Sequence, residues 1–334
     1  MPVVSVGDMA QQFVSMRNSG TIKQELDRLA ESLSSGVVTD ITRHLGGETA
    51  QLSGINYSLS QITSYQQAAR ETEQTLTGMQ LVLSEIDTVR SEMGAQLVLD
   101  SFARNGGQIE EASASARGSF ETMVNALNTR LADRSLFAGT EVFTTPLADA
   151  DTMLADLLGA IGGATTLADV TTAIDAWFDD PAGGFATIGY QGDTGPIPRK
   201  RVSENKSFTI DARADDPAIR DVLKATAFAA LASEVPGLNV NTQIEMLREG
   251  GTRMVASGGG LIGVQTRVGF AAAGVDQAAT ELAAQRTMLE MSRNNLIAAD
   301  PFETASKLQS VQLQLETHYS VTARMSRLSL LSYL

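Results

Sequence analysis

Val240, Leu247, Met254, Leu261, Val268, Val275, Leu282, Leu289 and Leu296 recur at every seventh position, and every one is apolar. A seven-residue period sustained over that distance keeps one seam of a helix turned toward a partner. The spacing predicts a long helix across the stretch. Small residues beside the seam, Ala271, Ala272, Ala278 and Ala279, would let a neighbouring helix come close. The seam stops at Asp300-Pro301, because Glu303 and Ser310 take the next two heptad positions. Asp300 suits an N-cap, Pro301 the first helical position, and Glu303 stands three residues after the cap. A new helix is expected there, with a stripe at Leu308, Val311, Leu315, Thr322 and Met325. It runs into an apolar tail, Leu328-Ser329-Leu330-Leu331-Ser332-Tyr333-Leu334, which is expected to hide against a neighbour.

The opposite end of the chain carries a matching stripe. Met9, Phe13 and Met16 are spaced as one helix face, and after Asn18-Ser19-Gly20 come Ile22, Leu26, Leu29 and Leu33 at four, three, four spacing. Gly36 is placed to end that helix. Residues 37–47 read as a connector. Each end helix has one narrow apolar seam that it cannot bury alone, so the two are expected to pair. Inside them, a helical region from about 48 to 104 has a seam at Ile55, Leu59, Ile62, Leu76, Met79, Leu83, Ile86, Met93 and Leu97, with Arg90 its one charged member. Asn105-Gly106-Gly107 reads as a turn, followed by a helix carrying Ala116, Phe120, Met123, Leu127 and Leu131. These helices and the heptad stretch would form an elongated bundle.

Residues 141–237 differ in composition. Fifteen Asp and Glu stand against seven Lys and Arg, a net of −8 and more than half of the chain's −14. Six of the eight prolines fall there, from Pro146 to Pro236. Short helices are signalled at about 167–178, capped by Thr166 with Asp169 three residues on, and at about 217–232, capped by Asp216 with Pro217 next. Phe185–Tyr190 and Ser207–Ile210 read as strands around a Gly/Pro-rich turn. Thr242 with Glu245 is expected to open the long heptad helix. The fold class expected is therefore mainly α: an elongated helical rod with paired N- and C-terminal helices and a small α+β domain inserted in the middle. The domains expected are 1–45 with 298–334, 46–140 with 238–297, and the insertion at 141–237.

Composition narrows the chemistry. The negative balance argues against nucleic acid, whose phosphates need clustered cations. With no cysteine, thiolate metal sites, disulfides and a cysteine nucleophile are excluded. His44 and His318 have no second ligand at metal spacing. Gly258-Gly259-Gly260-Leu261-Ile262-Gly263 lacks the Gly-Lys-Ser/Thr of a phosphate loop and reads as a loosened turn or an unstable helix segment. Arg199-Lys200-Arg201 reads as a solvated loop, and Asp179-Asp180 and Asp215-Asp216 as turn and cap residues. No catalytic residue, cofactor site or metal site is identified. The first residues lack a basic segment followed by an apolar core, so no cleavable signal peptide is expected. No run reaches the roughly 18 apolar residues of a membrane span, so membrane insertion is not expected.

Leu26-Asp27-Arg28-Leu29-Ala30-Glu31-Ser32-Leu33-Ser34-Ser35-Gly36 resembles the N-terminal signature of the flagellin superfamily. Gln312-Leu313-Gln314-Leu315-Glu316, Val321-Thr322-Ala323-Arg324 and the tail from Leu328 to Leu334 resemble its C-terminal signature. Leu136-Phe137-Ala138-Gly139-Thr140, Tyr190-Gln191-Gly192-Asp193 and the Leu-Ser-Leu-Leu ending resemble the hook–filament junction branch of that superfamily, with flagellin itself as the alternative. A third class, a secreted membrane-active effector, would need an apolar hairpin or a basic amphipathic face, and neither is present. Where the family usually has an Asn/Ser-Asp-Asp type turn, this chain has Thr39-Asp40-Ile41-Thr42-Arg43-His44.

The resemblance implies a non-enzymatic structural protein of the bacterial flagellum, exported unfolded without a cleaved signal and placed outside the cell between hook and filament. Its implied partners are further copies of itself in a ring or helical oligomer, a second junction protein, flagellin, a cytoplasmic export chaperone and the export apparatus. Its terminal helices would line the inner tube. The assembly interface would use Ile22, Leu26, Leu29, Leu33, Leu308, Val311, Leu315, Met325, Leu328 and Leu331. Leu26, Leu29 and Leu33 are expected to pack against Leu308, Val311 and Leu315 in the assembled state.

Overall fold

The computed structural model describes residues 6–99, 106–197 and 199–331. Nine α-helices are present among the described residues: α1 (Val6–Ser35), α2 (Ile41–His44), α3 (Ala50–Leu99), α4 (Gly106–Leu127), α5 (Ala150–Ile161), α6 (Leu167–Asp179), α7 (Pro217–Ala230), α8 (Val240–Ile297) and α9 (Pro301–Leu331). Two small antiparallel hairpins join them. β1 (Arg130–Leu131) pairs with β2 (Arg134–Ser135), and β3 (Arg199–Arg201) pairs with β4 (Ser207–Thr209). The fold is mainly α, as the periodicities require. The chain divides into two compact units: residues 1–63 with 284–334, and residues 64–283.

The larger unit holds the hydrophobic core. From α8, Leu247, Met254, Leu261, Val268, Val275 and Leu282 are all buried, so the heptad seam is a core seam over most of its length. Leu76, Met79, Leu83, Ile86, Met93 and Leu97 of α3 are buried in the same unit. Helix α4 packs against α7, burying Phe120, Met123 and Phe228. Ser113 of α4 donates to the carbonyl of Ala230 at 2.7 Å, satisfying an acceptor at the C-terminal end of α7.

The glycine run does not break α8. Glycine costs a helix about 1 kcal/mol relative to alanine, and here close packing offsets it. A Cβ at Gly251 would stand 2.8 Å from Cβ of Leu97. A Cβ at Gly258 would stand 3.0 Å from the guanidinium of Arg90. That guanidinium is buried, donates to the Met254 carbonyl at 2.8 Å and pairs with Asp87 at 2.7 Å. The one charged residue in the α3 seam is thus accommodated by a side chain that α8 lacks.

Helix boundaries follow local chemistry. Thr166 accepts from the Asp169 N–H at 3.2 Å and donates to the Asp169 carboxylate at 2.7 Å, a reciprocal cap for α6. Asp216 accepts from the Ala218 N–H at 3.0 Å and opens α7. Asn239, not Thr242, caps α8, accepting from the Thr242 N–H at 3.0 Å. Gly106 and Gly107 begin α4 instead of forming a turn, and Asn105 lies outside the described residues.

The middle region departs from the sequence pattern in two places. Helix α5, with Met153, Leu154, Leu157 and Ile161 buried, stands where no element was expected. Phe185–Gly189 is a π-helical turn and not a strand. The reason is tertiary. Trp177 of α6 lies so close to Gly184 that a Cβ there would overlap its ring, and the chain winds tightly past it. Phe185 then stacks on Phe178 at 5.5 Å and meets Trp177 edge-on at 6.2 Å. The Trp177 indole N–H donates to Asp156 at 2.7 Å, so the polar edge is satisfied as the ring is buried.

Candidate functional site

In the smaller unit α1 packs on α9. The pair is antiparallel. At one end Val37 bridges Ala298, with Val38 N–H donating to the Ile297 carbonyl and Ala299 N–H to the Gly36 carbonyl, both at 2.9 Å. Toward the other end, the Ser15 hydroxyl lies 3.5 Å from both His318 Nε2 and the Thr322 hydroxyl. The Lys23 ammonium sits 5.9 Å from the centre of the Tyr319 ring. Hydrogen bonds from Lys23 and then Ser19 lower the Tyr319 phenol below its ordinary pKa. These contacts set Ile22, Leu26 and Leu29 of α1 alongside the Leu308–Leu315 stretch of α9.

Sequence and cap chemistry explain the hinge between α1 and α2. Gly36 has φ +72°, the left-handed conformation that ends a helix, and its N–H donates to the Ser32 carbonyl at 3.0 Å. The divergent segment after it ties back to α1. The Thr39 hydroxyl donates to the Arg28 carbonyl at 3.1 Å, and the Thr39 N–H donates to Ser32 Oγ at 3.1 Å. Asp40 then caps α2 by accepting from the Arg43 N–H at 3.1 Å. At the far side, Asp300 accepts from the N–H groups of Phe302 and Glu303, at 2.8 and 3.0 Å, and opens α9.

Ile22, Leu26, Leu29, Leu308, Val311 and Leu315 are each half-buried. Leu33 is 41% exposed, and its neighbour Ser32 takes the buried position under Thr39. Met325 is 45% exposed. The side chains of Leu328 and Leu331 lie outside the described residues. The pair therefore covers its stripes on one side only. Its outer faces carry Met9, Phe13, Met16, Phe302, Leu313 and Val321, with Phe13 76% and Phe302 87% exposed. The sequence assigns no role to Phe302, and Leu313 figures there only within the C-terminal motif. Their only signal is being apolar at positions off the a/d stripe, which is weak because single exposed apolar residues are common.

A second constellation closes the base of the insertion, within the larger unit. It joins the segments Leu136–Thr140 and Tyr190–Asp193. The Asp193 N–H donates to the Ala138 carbonyl at 3.0 Å, and the Tyr190 hydroxyl donates to the Asp193 carbonyl at 3.0 Å. Asp193 accepts from the Thr140 hydroxyl and, at 2.7 Å, from the Gly195 N–H. The Thr140 bond and then the Gly195 bond hold the Asp193 carboxyl below its ordinary pKa. Arg213 donates to the carbonyls of Asp193 and Gly195, each at 3.0 Å. Burial raises the Tyr190 phenol and the Asp215 carboxyl, the latter in spite of Arg213. A Cβ at Gly192 would stand 2.5 Å from the Tyr190 hydroxyl, which is why a glycine occupies that position. Together these hydrogen bonds clasp the two segments.

Among the described residues no group of three or more His, Cys, Asp or Glu could hold a metal ion. No helix among them is long and apolar enough to cross a membrane.

Comparison with known proteins matches this geometry. Residues 260–334, the second part of α8 and the C-terminal helix pair partner, match the bacterial flagellin C-terminal helical region. That C-terminal match, together with the mainly α fold, supports a structural role in the flagellum. A solved structure of a Vibrio parahaemolyticus protein, assigned as a flagellar hook-associated protein, superposes with a TM-score of 0.50. It is 11% identical and spans 74% of this chain and 96% of its own, so the likeness is one of fold. No curated protein matches the chain by sequence.

Proposed function

We propose that the chain is a subunit of the junction between hook and filament, assembling as a ring or short helical turn of copies. The observation that carries this is the α1–α9 pair: its apolar stripes are half-covered within one chain and its outer faces leave large apolar side chains exposed. Apolar side chains left exposed along a helix pair suit a face that another protein covers. The motifs Leu136–Thr140 and Tyr190–Asp193, which point to the junction branch, meet in one clasp at the base of the insertion. The Vibrio neighbour's assigned role agrees with that branch.

In this reading residues 1–45 and 298–334 line an inner tube, 46–140 and 238–297 form the helical wall, and 141–237 faces solvent. Surplus negative charge on the outer domain limits lateral sticking. The neighbours are a second junction protein and flagellin. Before export, a cytoplasmic chaperone covers the C-terminal helix and delivers the chain to the flagellar export apparatus.

Flagellin itself is the second reading, favoured by the match of residues 260–334 to the flagellin C-terminal region. Immunogold electron microscopy with antibody against residues 141–237 separates the two. A narrow band of label where hook meets filament is the expected result. Label along the whole filament would make the protein flagellin, and unlabelled flagella would remove both readings.

A further inference from the structure

The basic triplet is not a solvated loop. Arg199, Lys200 and Arg201 form β3, with Lys200 directly opposite Phe208 of β4. Directly opposed residues of an antiparallel pair share a face. Phe208 seats on α8 at Gly274, where a Cβ would stand 2.4 Å from its ring. Lys200 is therefore turned inward and half-buried, while Arg199 and Arg201 are exposed.

Lys200 lines a cleft of about 470 Å³. Arg134 from the β1–β2 hairpin lines it too, and Met79 and Ile210 supply apolar wall. Arg213, also at the cleft, is occupied by Asp215 and two carbonyls. Lys200 and Arg134 make no side-chain hydrogen bond or ion pair with a described residue. Burial and then the charge of Arg134 push the Lys200 ammonium below its ordinary pKa, and Glu71 only partly counters them. Glu71 lines the cleft as well, so Arg134 and Lys200 stand there against one carboxylate, in a chain with 39 acidic against 25 basic residues. The hairpin that presents Arg134 turns through Ala132 and Asp133 at φ 49° and 61°, a left-handed pair that is costly for alanine. Both positive φ values are what a two-residue type I′ hairpin turn requires.

We infer that this cleft receives an acidic side chain from a second copy of the chain, its carboxylate held between Arg134 and Lys200 and its methylenes against Met79 and Ile210. The inference rests on the proposed self-assembly. A second copy fits best because its surface is strongly acidic and, within an assembly, it is present at high effective concentration.

Full-length chains labelled with 14N and 15N, mixed, assembled and treated with a water-soluble carbodiimide, test this by mass spectrometry. The expected product is an amide between Lys200 of one copy and an Asp or Glu of a copy carrying the other isotope. R134E/K200E should raise the assembly threshold about tenfold or more, with the melting of the free chain unchanged, whereas K200R assembles normally. Assembly without an intermolecular Lys200 link, or with a link only to Glu71 of the same copy, overturns the cleft inference alone when R134E/K200E also assembles as wild type. Protection of Lys200 from amine labelling by millimolar hexanoate, with no intermolecular link, assigns the cleft to a free organic acid and overturns the second-copy inference. A wild-type chain that never assembles overturns both this inference and the proposed function.

Discussion

Helix α8 changes character along its length. From Leu247 to Leu282 every seventh residue is buried, whereas Leu289 and Leu296 are only half-buried. The residues of the continuous core all belong to the larger unit, residues 64–283. In the smaller unit the described buried apolar residues are Ile55, Ile62 and Ala299. The same heptad code thus yields a finished interface in one region and a half-finished one in the other. What differs is the number of partners. Helix α8 meets α3, β4 and α7 in the larger unit, where residues such as Gly251, Gly258 and Gly274 let them close on it. Helices α1 and α9 have chiefly each other. Two helices bury one stripe apiece and no more.

The sharpest way to break this comparison is to place charge in the open stripes. Leu29→Asp with Leu315→Asp should abolish assembly while leaving the denaturant midpoint of the larger unit where it was. An unpaired buried charge costs about 3–5 kcal/mol, and about 1.4 kcal/mol is a factor of ten in affinity, so the threshold should move by more than about a hundredfold. Normal polymers by negative-stain microscopy would show that these stripes are not the interface.

Next in size is the finished interface. Leu261→Ala should cost about 2–5 kcal/mol in urea unfolding, because the seam there is closed and a cavity remains. Leu308→Ala should cost under about 1 kcal/mol in the free chain. Equal losses at the two positions would erase the distinction between the units.

Gly192→Ala probes the clasp of the insertion. Its Cβ would press on the Tyr190 hydroxyl at 2.5 Å and on the Ala138 carbonyl at 2.9 Å. Overpacking of this kind costs about 1–3 kcal/mol. Faster amide exchange at Asp193 and Gly195, with α3 and α4 unaffected, is the expected signature. Asp300→Ala removes the cap of α9 and should cost about 0.5–2 kcal/mol, read as faster exchange at Phe302 and Glu303 alone.

The smallest effect is the acid response of the clasp. The lowered pKa of Asp193 means that its contribution is complete above the ordinary carboxylate range and is lost as pH falls through its own lower value. Asp215 has the opposite sign: burial raises its pKa, so protonation there favours the folded state. Carboxyl carbon titration by NMR should show Asp215 titrating well before Asp193 on acidification.

Much of this was legible beforehand, for reasons that particular residues make plain. Asp216-Pro217 and Thr166 with Asp169 act through atoms two or three residues away, so their helices start where local chemistry puts them. The seams of α3 and α8 were legible because periodicity survives any choice of partner. Phe185–Tyr190 carries a strand-like pattern but winds as a π-turn, because its β-favouring residues answer to Trp177, a contact that no local pattern records. The basic triplet looks solvated in sequence, but the direction of Lys200 is set by Phe208 and Gly274, on two other elements. The clasp residues were noticed as motifs, but their joining depends on Ala138 meeting Asp193 across the insertion.

By itself, then, the sequence determined the helices, their caps, the two kinds of seam and the acidic, proline-rich middle, all of which follow from interactions within one or two turns. Only the tertiary structure decided which seams are closed. Burial depends on how many elements converge on a helix face. That convergence makes Leu261 a core residue and leaves Leu315, in an equally regular stripe, half exposed.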